Sequence, residues 1–269
     1  MRAKSAIDAT DTLRGIISAR EQIPVVRPGG LTLLYPKWMP GYHSPQNPLE
    51  LFAGLEIKAG DTLLPWRRDP VEVYAFHLEV PEGVRTLDAT FQFLSPTNSA
   101  QGDVVVTRDM INLQWGRVLL YPAGYFSRQI RVEASLKLPE GWRYATALAR
   151  QSGEGQLVMF EPAQLDVLVD SPVMAGRVVR EIPLDADGAV LMALFAHDPT
   201  QLEAAETHVE AHRALVAQTD RLFASRHYDR YRFLVALSDE LGGGGASAIG
   251  GDHRAAGLLH GVGARLHEA

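Results

Sequence analysis

Two histidines, His208 and His212, stand four positions apart in a segment that the sequence predicts to be helical. On a helix this spacing brings both imidazoles to one face, where they could hold a zinc ion, and Glu210 lies between them. The arrangement is not H-E-x-x-H, because Glu210 is one position too late to be the general base of that motif. Such pairs arise freely in helices rich in alanine, glutamate and histidine, so we interpret both as solvent-facing.

Four other features could carry chemistry, but none has the pattern that its chemistry needs. Three histidines recur every seven residues, but no carboxylate or apolar pattern repeats with them: His253, His260 and His267. The glycines at 242–245 lack the lysine of a phosphate-binding loop, and Ser247 lacks the second glycine of a nucleophile elbow. Four tryptophans could form a sugar-binding platform, although most such residues in a β-rich chain anchor the core or a loop: Trp38, Trp66, Trp115 and Trp142. The sequence therefore assigns no catalytic, cofactor-binding or metal-binding residue.

The composition excludes several classes of function. The chain has 269 residues, of which 46% are hydrophobic and 22% charged, and its net charge is −6. No basic stripe offsets this acidic balance, which argues against a nucleic-acid partner. Cysteine is absent, so disulfides and thiolate metal sites are excluded and the compartment stays open. No segment resembles a signal peptide or a membrane span, and we expect a soluble chain without a membrane partner.

The first two thirds of the chain predict many short strands separated by turns. In residues 71–80 the alternation places Tyr74, Phe76, Leu78 and Val80 on one face, which is the predicted core face. Close spacing of short strands is typical of an antiparallel β-sandwich. The predicted strands are 31–35, 51–58, 62–67, 71–80, 86–94, 103–107, 110–115, 118–121, 129–138, 144–148, 157–161 and 165–169.

The pattern changes after residue 177. Strands are predicted at 178–183 and 190–195, followed by a helix that begins either at Asp198 or at Thr207, since both offer a capping-box pattern. An apolar stripe on this helix predicts that one face packs against the protein: Val209, Leu215, Val216, Leu222 and Phe223. A buried strand at 233–237 follows, so the segment begins an α/β domain that the remaining residues do not complete.

Three stretches resemble the amino-terminal half of the glycyl aminopeptidase family, peptidase family M sixty-one. They are L-T-L-L-Y-P-K-W-M-P-G-Y-H-S-P at 31–45, N-L-Q-W-G-R-V-L-L-Y-P-A-G-Y-F at 112–126 and S-R-H-Y-D-R-Y-R-F-L-V-A-L-S-D-E-L-G-G at 225–243. The resemblance implies a β-sandwich at 1–176 and the truncated start of a thermolysin-like catalytic domain at 177–243. In the intact family it also implies zinc held by H-E-x-x-H and a later glutamate, peptide substrates, and a PDZ domain.

The sequence departs from the family after residue 243. The acidic G-L-E-H-R type segment and H-E-x-x-H are both missing, so we expect a truncated fragment that is inactive alone and holds no cofactor. The catalytic and PDZ domains would be its natural packing partners. The alternative is a stand-alone β-sandwich module that binds peptide or carbohydrate through the loop at 36–48 and exposed aromatic residues.

Residues 244–269 are predicted to be a frameshifted or disordered tail. Their composition shifts to glycine, alanine, histidine and arginine, with no defensible strand or helix period. Codons can be chosen for residues 245–251 that give E-H-R-Q-S when they are translated one nucleotide later. Residues 258–263 permit Y-F-T-E-W in the same frame, which resembles the aromatic segment that follows the family's acidic motif.

Overall fold

The computed structural model describes residues 1–39, 44–45, 47–204 and 206–241, and the backbone of Gly245–Ile249. His253, His260, His267 and the side chain of Ser247 lie outside the described residues, as does most of the predicted tail. Within the described part, no helix has the length and apolar character needed to cross a bilayer.

The described residues form strands, two α-helices and short 3-10 turns. The α-helices are α1 (Leu165–Val169) and α2 (Glu206–Phe223), and the turns are Leu49–Leu51, Trp115–Arg117, Ser127–Gln129 and Pro199–Leu202. The strands are, in chain order, β1 (Arg2–Asp11), β2 (Ile16–Pro24), β3 (Gly29–Leu34), β4 (Phe52–Ala59), β5 (Thr62–Leu63), β6 (Trp66–Arg68), β7 (Ala75–Val80), β8 (Thr86–Leu94), β9 (Met110–Leu113), β10 (Tyr121–Pro122), β11 (Arg131–Lys137), β12 (Arg143–Ala145), β13 (Arg150–Ser152), β14 (Leu157–Phe160), β15 (Ala163–Gln164), β16 (Val173–Gly176), β17 (Val178–Pro183), β18 (Val190–Ala196), β19 (Arg230–Leu237) and β20 (Gly245–Ile249).

The amino-terminal part is a β-sandwich with a continuous apolar core. Its large sheet has the order β13-β14-β11-β1-β2-β8-β4-β5, with β15 beside β11, and is antiparallel except where β1 and β11 run parallel. The facing sheet has the order β10-β3-β7-β6. One core cluster joins Ile17 and Phe93 of the large sheet with Leu33 and Phe76 of the facing sheet. Phe76, Leu78 and Val80 are buried, which confirms the predicted core face of that strand.

A small sheet, β12-β16-β9, connects the sandwich to the carboxy-terminal part. There the terminal sheet has the order β17-β18-β19-β20, and β18 and β19 run parallel with α2 as their crossover. Val209 and Val216 of α2 pack on one face of the terminal sheet. On the other face Phe195 and Leu234 contact Met110 and Met174 of the small sheet. The terminal sheet is therefore covered on both faces.

The fold is mainly β, as the sequence predicted, but several elements differ. No strand was assigned before residue 31, whereas β1 and β2 are long; the signal is weak because β1 turns small residues such as Ala3 and Ala9 inward. The predicted strand at 165–169 is the helix α1, because a short apolar run does not distinguish a buried strand from a buried helical turn. Of the predicted strand 103–107, only an isolated bridge at Val106 forms.

Two further strands start later than predicted. The strand predicted at 71–80 begins at Ala75, because the Asp69 carboxylate accepts the N–H groups of Val71 and Glu72 and holds them in a turn. The strand predicted at 118–121 is reduced to Tyr121–Pro122, since the N–H of Leu120 donates to a buried side chain instead of a neighbouring strand.

The helix and the tail also require corrections. Both predicted capping sites are close to real elements: Asp198 caps the 3-10 turn Pro199–Leu202, and α2 begins at Glu206. The predicted apolar stripe is buried only at Val209 and Val216, and its other members are exposed: Leu215, Leu222 and Phe223. The expectation of no strand in the tail is wrong for Gly245–Ile249, which pairs antiparallel with β19.

Candidate functional site

The histidine pair on α2 is engaged in ordinary helix contacts. His212 Nδ1 donates to the carbonyl oxygen of His208 at 2.7 Å, and its ring meets Phe233 edge-on. His208 is exposed. Within the described residues, no three histidine, aspartate or glutamate side chains are grouped so that they could hold a metal ion.

The four tryptophans serve different purposes. Trp115 is fully buried and donates its indole N–H to the carbonyl oxygen of Ser171 at 3.0 Å. Trp66 donates to the carbonyl oxygen of Leu55 at 3.1 Å, and Trp142 is half-buried against the core. Only Trp38, which is 58% exposed, and Trp66, at 37%, are among the exposed large apolar residues that the structure describes. A surface platform built from all four is excluded.

The loop at 36–48 is fixed at both ends, although residues 40–43 and 46 lie outside the described part. The buried Asn47 amide donates to the carbonyl oxygens of Pro36 at 2.7 Å and Gly116 at 2.8 Å. Met39 covers Gly116 so closely that a Cβ there would lie 1.9 Å from the Met39 sulfur. A larger residue at this position would have to displace the Met39 side chain, and the loop rests on the turn that carries Trp115.

Three hydrogen-bonded polar side chains lie on the outer face of the facing sheet. His77 Nδ1 is 2.9 Å from Thr32 Oγ1, and His77 Nε2 is 2.9 Å from Asp69 Oδ2. The hydrogen bond from His77, together with the N–H groups of Glu72 and Val71, lowers the pKa of Asp69 to about 2. Thr32 lies in the middle of β3, so His77 links this strand to Asp69 and stabilises the turn between β6 and β7.

The strongest candidate site is at the carboxyl ends of β18 and β19. Because these strands are parallel, the residues that follow them meet at one edge of the sheet. His197 follows β18, Ser238 follows β19, and His197 Nε2 lies 2.9 Å from Ser238 Oγ. Asp109, from the turn before β9, places its carboxylate 3.6 Å from His197 Nδ1. A serine hydroxyl, an imidazole and a carboxylate therefore stand in the same order as in the Ser-His-Asp triad of a hydrolase.

The hydrogen bonds of this junction hold a turn in place. Ser238 Oγ accepts the backbone N–H groups of Glu240 and Leu241, both at 3.1 Å. With both lone pairs engaged, the hydroxyl donates its proton to His197 Nε2, which leaves the Nδ1 proton of His197 directed at Asp109. The three side chains together fix the start of the segment that leads into the glycine run.

Sequence reasoning missed this junction. Ser238 and His197 are 41 positions apart, and neither lies in a recognisable motif. The available signal was topological: two buried strands joined by one helix are parallel, so the polar residues directly after them meet. The contribution of Asp109 depends on how the small sheet packs on the terminal sheet, which local sequence does not show.

Both the sequence and the fold of this chain match known proteins. Residues 4–177 match the Peptidase M61 N-terminal domain, so the chain belongs to this family. No curated protein sequence matches. An aminopeptidase N family protein from Idiomarina loihiensis has the same fold, with a TM-score of 0.72 and 16% identity over 92% of this chain and 42% of that protein. Native yeast LTA4 hydrolase aligns with a TM-score of 0.52 and 11% identity over 88% of this chain and 37% of its own. The chain thus spans less than half the length of these solved proteins.

Proposed function

We propose that this chain is the amino-terminal region of a zinc aminopeptidase, with the sandwich at 1–176 and the start of the catalytic domain at 177–243. The extent of the structural likeness carries this proposal. The family match ends at residue 177, but the likeness to the Idiomarina loihiensis protein covers 92% of the chain and so extends into the terminal sheet. The likeness therefore includes the strand-helix-strand unit that follows the sandwich.

The residues present do not form a zinc site. A zinc ion held by H-E-x-x-H would activate water and polarise the scissile carbonyl, but this sequence contains no such motif. In the described residues no metal-ligating group of three or more side chains is assembled. The role of this chain is therefore positional: His197, Ser238 and Asp109 hold the turn that leads from β19 to the glycines and β20.

Exposed apolar side chains on α2 support the proposal that another domain packs against this helix in the intact enzyme. Leu222 is 77% and Phe223 is 63% exposed, and Leu215 lies on the same helix. Burying one such side chain contributes about 1.5–3 kcal/mol. We infer that the rest of the catalytic domain covers these residues in the intact enzyme, and that a PDZ domain follows it. The substrates of that enzyme would be peptides from which small residues such as glycine or alanine are removed.

A shifted reading frame is our explanation for the composition of residues 244–269. The strand Gly245–Ile249 begins where the shifted frame would give E-H-R, so the acidic motif of the family would lie on an edge strand beside β19. The nucleotide sequence tests this explanation. Codons that restore E-H-R and later H-E-x-x-H one nucleotide out of frame would support it, and their absence would refute it.

Metal analysis and activity assays test the proposed function. We expect that the purified chain binds no stoichiometric zinc and does not hydrolyse glycyl-arylamides, because its zinc ligands are missing. An intact aminopeptidase of the family, assayed in parallel, is the positive control. Chelator-sensitive hydrolysis by the pure chain would contradict the proposal. A neighbouring reading frame with H-E-x-x-H and a PDZ domain favours it over a stand-alone binding module, whereas an unrelated neighbour favours the module.

A further inference from the structure

The strand β6 forms an exposed edge of the sandwich. All three of its residues are exposed, and it is the end strand of the facing sheet, paired with β7 on one side. Asp69 N–H donates to the carbonyl oxygen of Ala75 at 2.9 Å, so the hydrogen-bonded pairs of this ladder are Asp69 with Ala75 and Arg67 with His77. The main-chain N–H and C=O groups of Trp66 and Arg68 therefore point away from the sheet, where an added strand could bind them.

An apolar pocket of about 320 Å³ opens beside this edge. It lies between β6 and the bulged start of β4, where Gly54 adopts a φ of +67° that other residues rarely take. Aromatic rings make its floor, with Trp66 edge-on to Phe76 at 5.4 Å and Phe52 5.5 Å from Phe76. Its lining residues are Leu49, Phe52, Ala53, Gly54, Leu55, Trp66, Arg68 and Phe76. The pocket is large enough for one leucine-sized or phenylalanine-sized side chain.

Two arginines give this edge a positive charge on an acidic protein. Arg67 and Arg68 are both exposed, and no carboxylate in the described part of the chain forms an ion pair with either one. Because residues alternate along a strand, Arg68 lines the pocket with Trp66, whereas Arg67 lies on the outer face opposite His77. The overall charge of −6 makes this doubly basic edge a local exception.

We propose that β6 binds an extended, acidic peptide segment of a partner protein, which adds to the facing sheet as a further strand. Its main chain bonds to Trp66 and Arg68, one apolar side chain fills the pocket beside Arg68, and carboxylates on the neighbouring positions pair with Arg67 on the outer face. The required peptide alternates apolar and acidic residues, because the pocket lies on one face of the strand and Arg67 on the other.

Short basic edges also protect sheets from unwanted pairing, and arginine alone would serve that purpose. What protection does not require is an open aromatic pocket directly beside the edge. The surface lies on the sandwich and is separate from the junction of His197 and Ser238, so the binding proposal and the proposed function can fail independently.

The test uses a short blocked peptide in which leucine alternates with glutamate, with amide hydrogen exchange and Trp66 fluorescence as readouts on the full chain. Binding should slow exchange at the N–H groups of Trp66 and Arg68 and leave that of Arg67, which already donates to His77, unchanged. The double variant Arg67→Glu with Arg68→Glu should bind at least about tenfold more weakly. The matched control, Arg27→Glu with Arg221→Glu, carries the same charge change on exposed positions of other elements and should bind like the parent protein.

Three outcomes would overturn the proposal. The first is equal affinity of the Arg67 and Arg68 double variant and the parent chain. The second is equal binding of a peptide in which lysine replaces glutamate, or of polyglutamate without leucine, since neither satisfies both the pocket and the charges. The third is binding of heparin that equals that of the peptide, because a polysaccharide cannot add a strand to the edge.

Discussion

Glu21 occupies a core position of β2, where its neighbours on the same face, Ala19 and Ile23, are apolar. Its carboxyl group accepts one hydrogen bond, from the N–H of Leu120 at 2.9 Å. Directly across the strand pair lies Ser5, whose buried Oγ has no hydrogen-bond partner in the described structure. Burial raises the pKa of Glu21 well above its ordinary value, because desolvation disfavours the charged form.

Replacement of Glu21 by glutamine should stabilise the protein at alkaline pH. The folded-state pKa of Glu21 is raised, so below the ordinary value both states are protonated and no stability is lost. Above it, the free energy of unfolding falls by about 1.4 kcal/mol per pH unit until the folded pKa is reached. Glu21→Gln removes this loss, and its amide oxygen keeps the acceptor for Leu120.

Urea denaturation of both proteins at about pH 5 and about pH 8 measures the difference. The stability advantage of Glu21→Gln should grow with pH, whereas the control Glu140→Gln, at an exposed turn, should behave like the parent protein. If the variant were destabilised equally at both pH values, this prediction would be wrong. Such a result would show that the Glu21 carboxyl group stabilises the protein through its shape or its hydrogen bond, and that the burial of its charge has no measurable cost.

The end of α2 contains a strained residue. Ala224, directly after the helix, has a φ of +49° and is the one described residue other than glycine with a positive φ. This left-handed conformation is usual at a helix C-cap, but it costs a side chain with a Cβ roughly 1–2 kcal/mol. We expect Ala224→Gly to raise the free energy of unfolding by about 0.5–1 kcal/mol, the gain being reduced by the greater freedom of glycine in the unfolded chain.

The matched control is the same substitution inside α2. Ala217 is exposed in the helix, where glycine should lower stability by about 1 kcal/mol. Opposite signs for Ala224→Gly and Ala217→Gly, measured by thermal unfolding, would support the strain at the C-cap. Destabilisation by both substitutions would mean that Ala224 does not adopt the left-handed conformation in solution.

At the level of elements, sequence patterns were sufficient where a segment makes its own contacts. The apolar run 233–237 is within β19, and the alternation at Phe76, Leu78 and Val80 marks the true core face. Sequence patterns failed where a hydrogen bond from a residue outside the segment sets the boundary of a strand. The carboxylate of Asp69 delays the start of the strand predicted from residue 71, and the carboxyl group of Glu21 takes the N–H that would have extended β10. The junction at His197 also depends on the pairing of distant strands, which no local pattern contains.

The whole molecule is joined through the contact between the small sheet and the terminal sheet. Phe195 is fully buried there with Met110 and Met174. The two layers approach closely, since a Cβ on Gly176 would lie 3.0 Å from the Asp109 carbonyl oxygen and 3.3 Å from the Phe195 ring. Asp109 strengthens the contact through Arg177, 3.5 Å away. The sandwich and the terminal sheet should therefore unfold together.

Denaturation followed by two probes tests this coupling. All four tryptophans lie before residue 177 and report on the sandwich, whereas α2 dominates the helical signal in circular dichroism. In the parent protein the two transitions should coincide.

Phe195→Ala should lower the free energy of unfolding by about 3–5 kcal/mol and separate the two transitions, with the helical signal lost at the lower denaturant concentration. Phe223→Ala is the control, because that ring is 63% exposed and its loss should change stability by no more than about 0.5 kcal/mol. Separate transitions in the parent protein would contradict the coupling, because they would show that the terminal sheet unfolds independently of the contact that Phe195 makes.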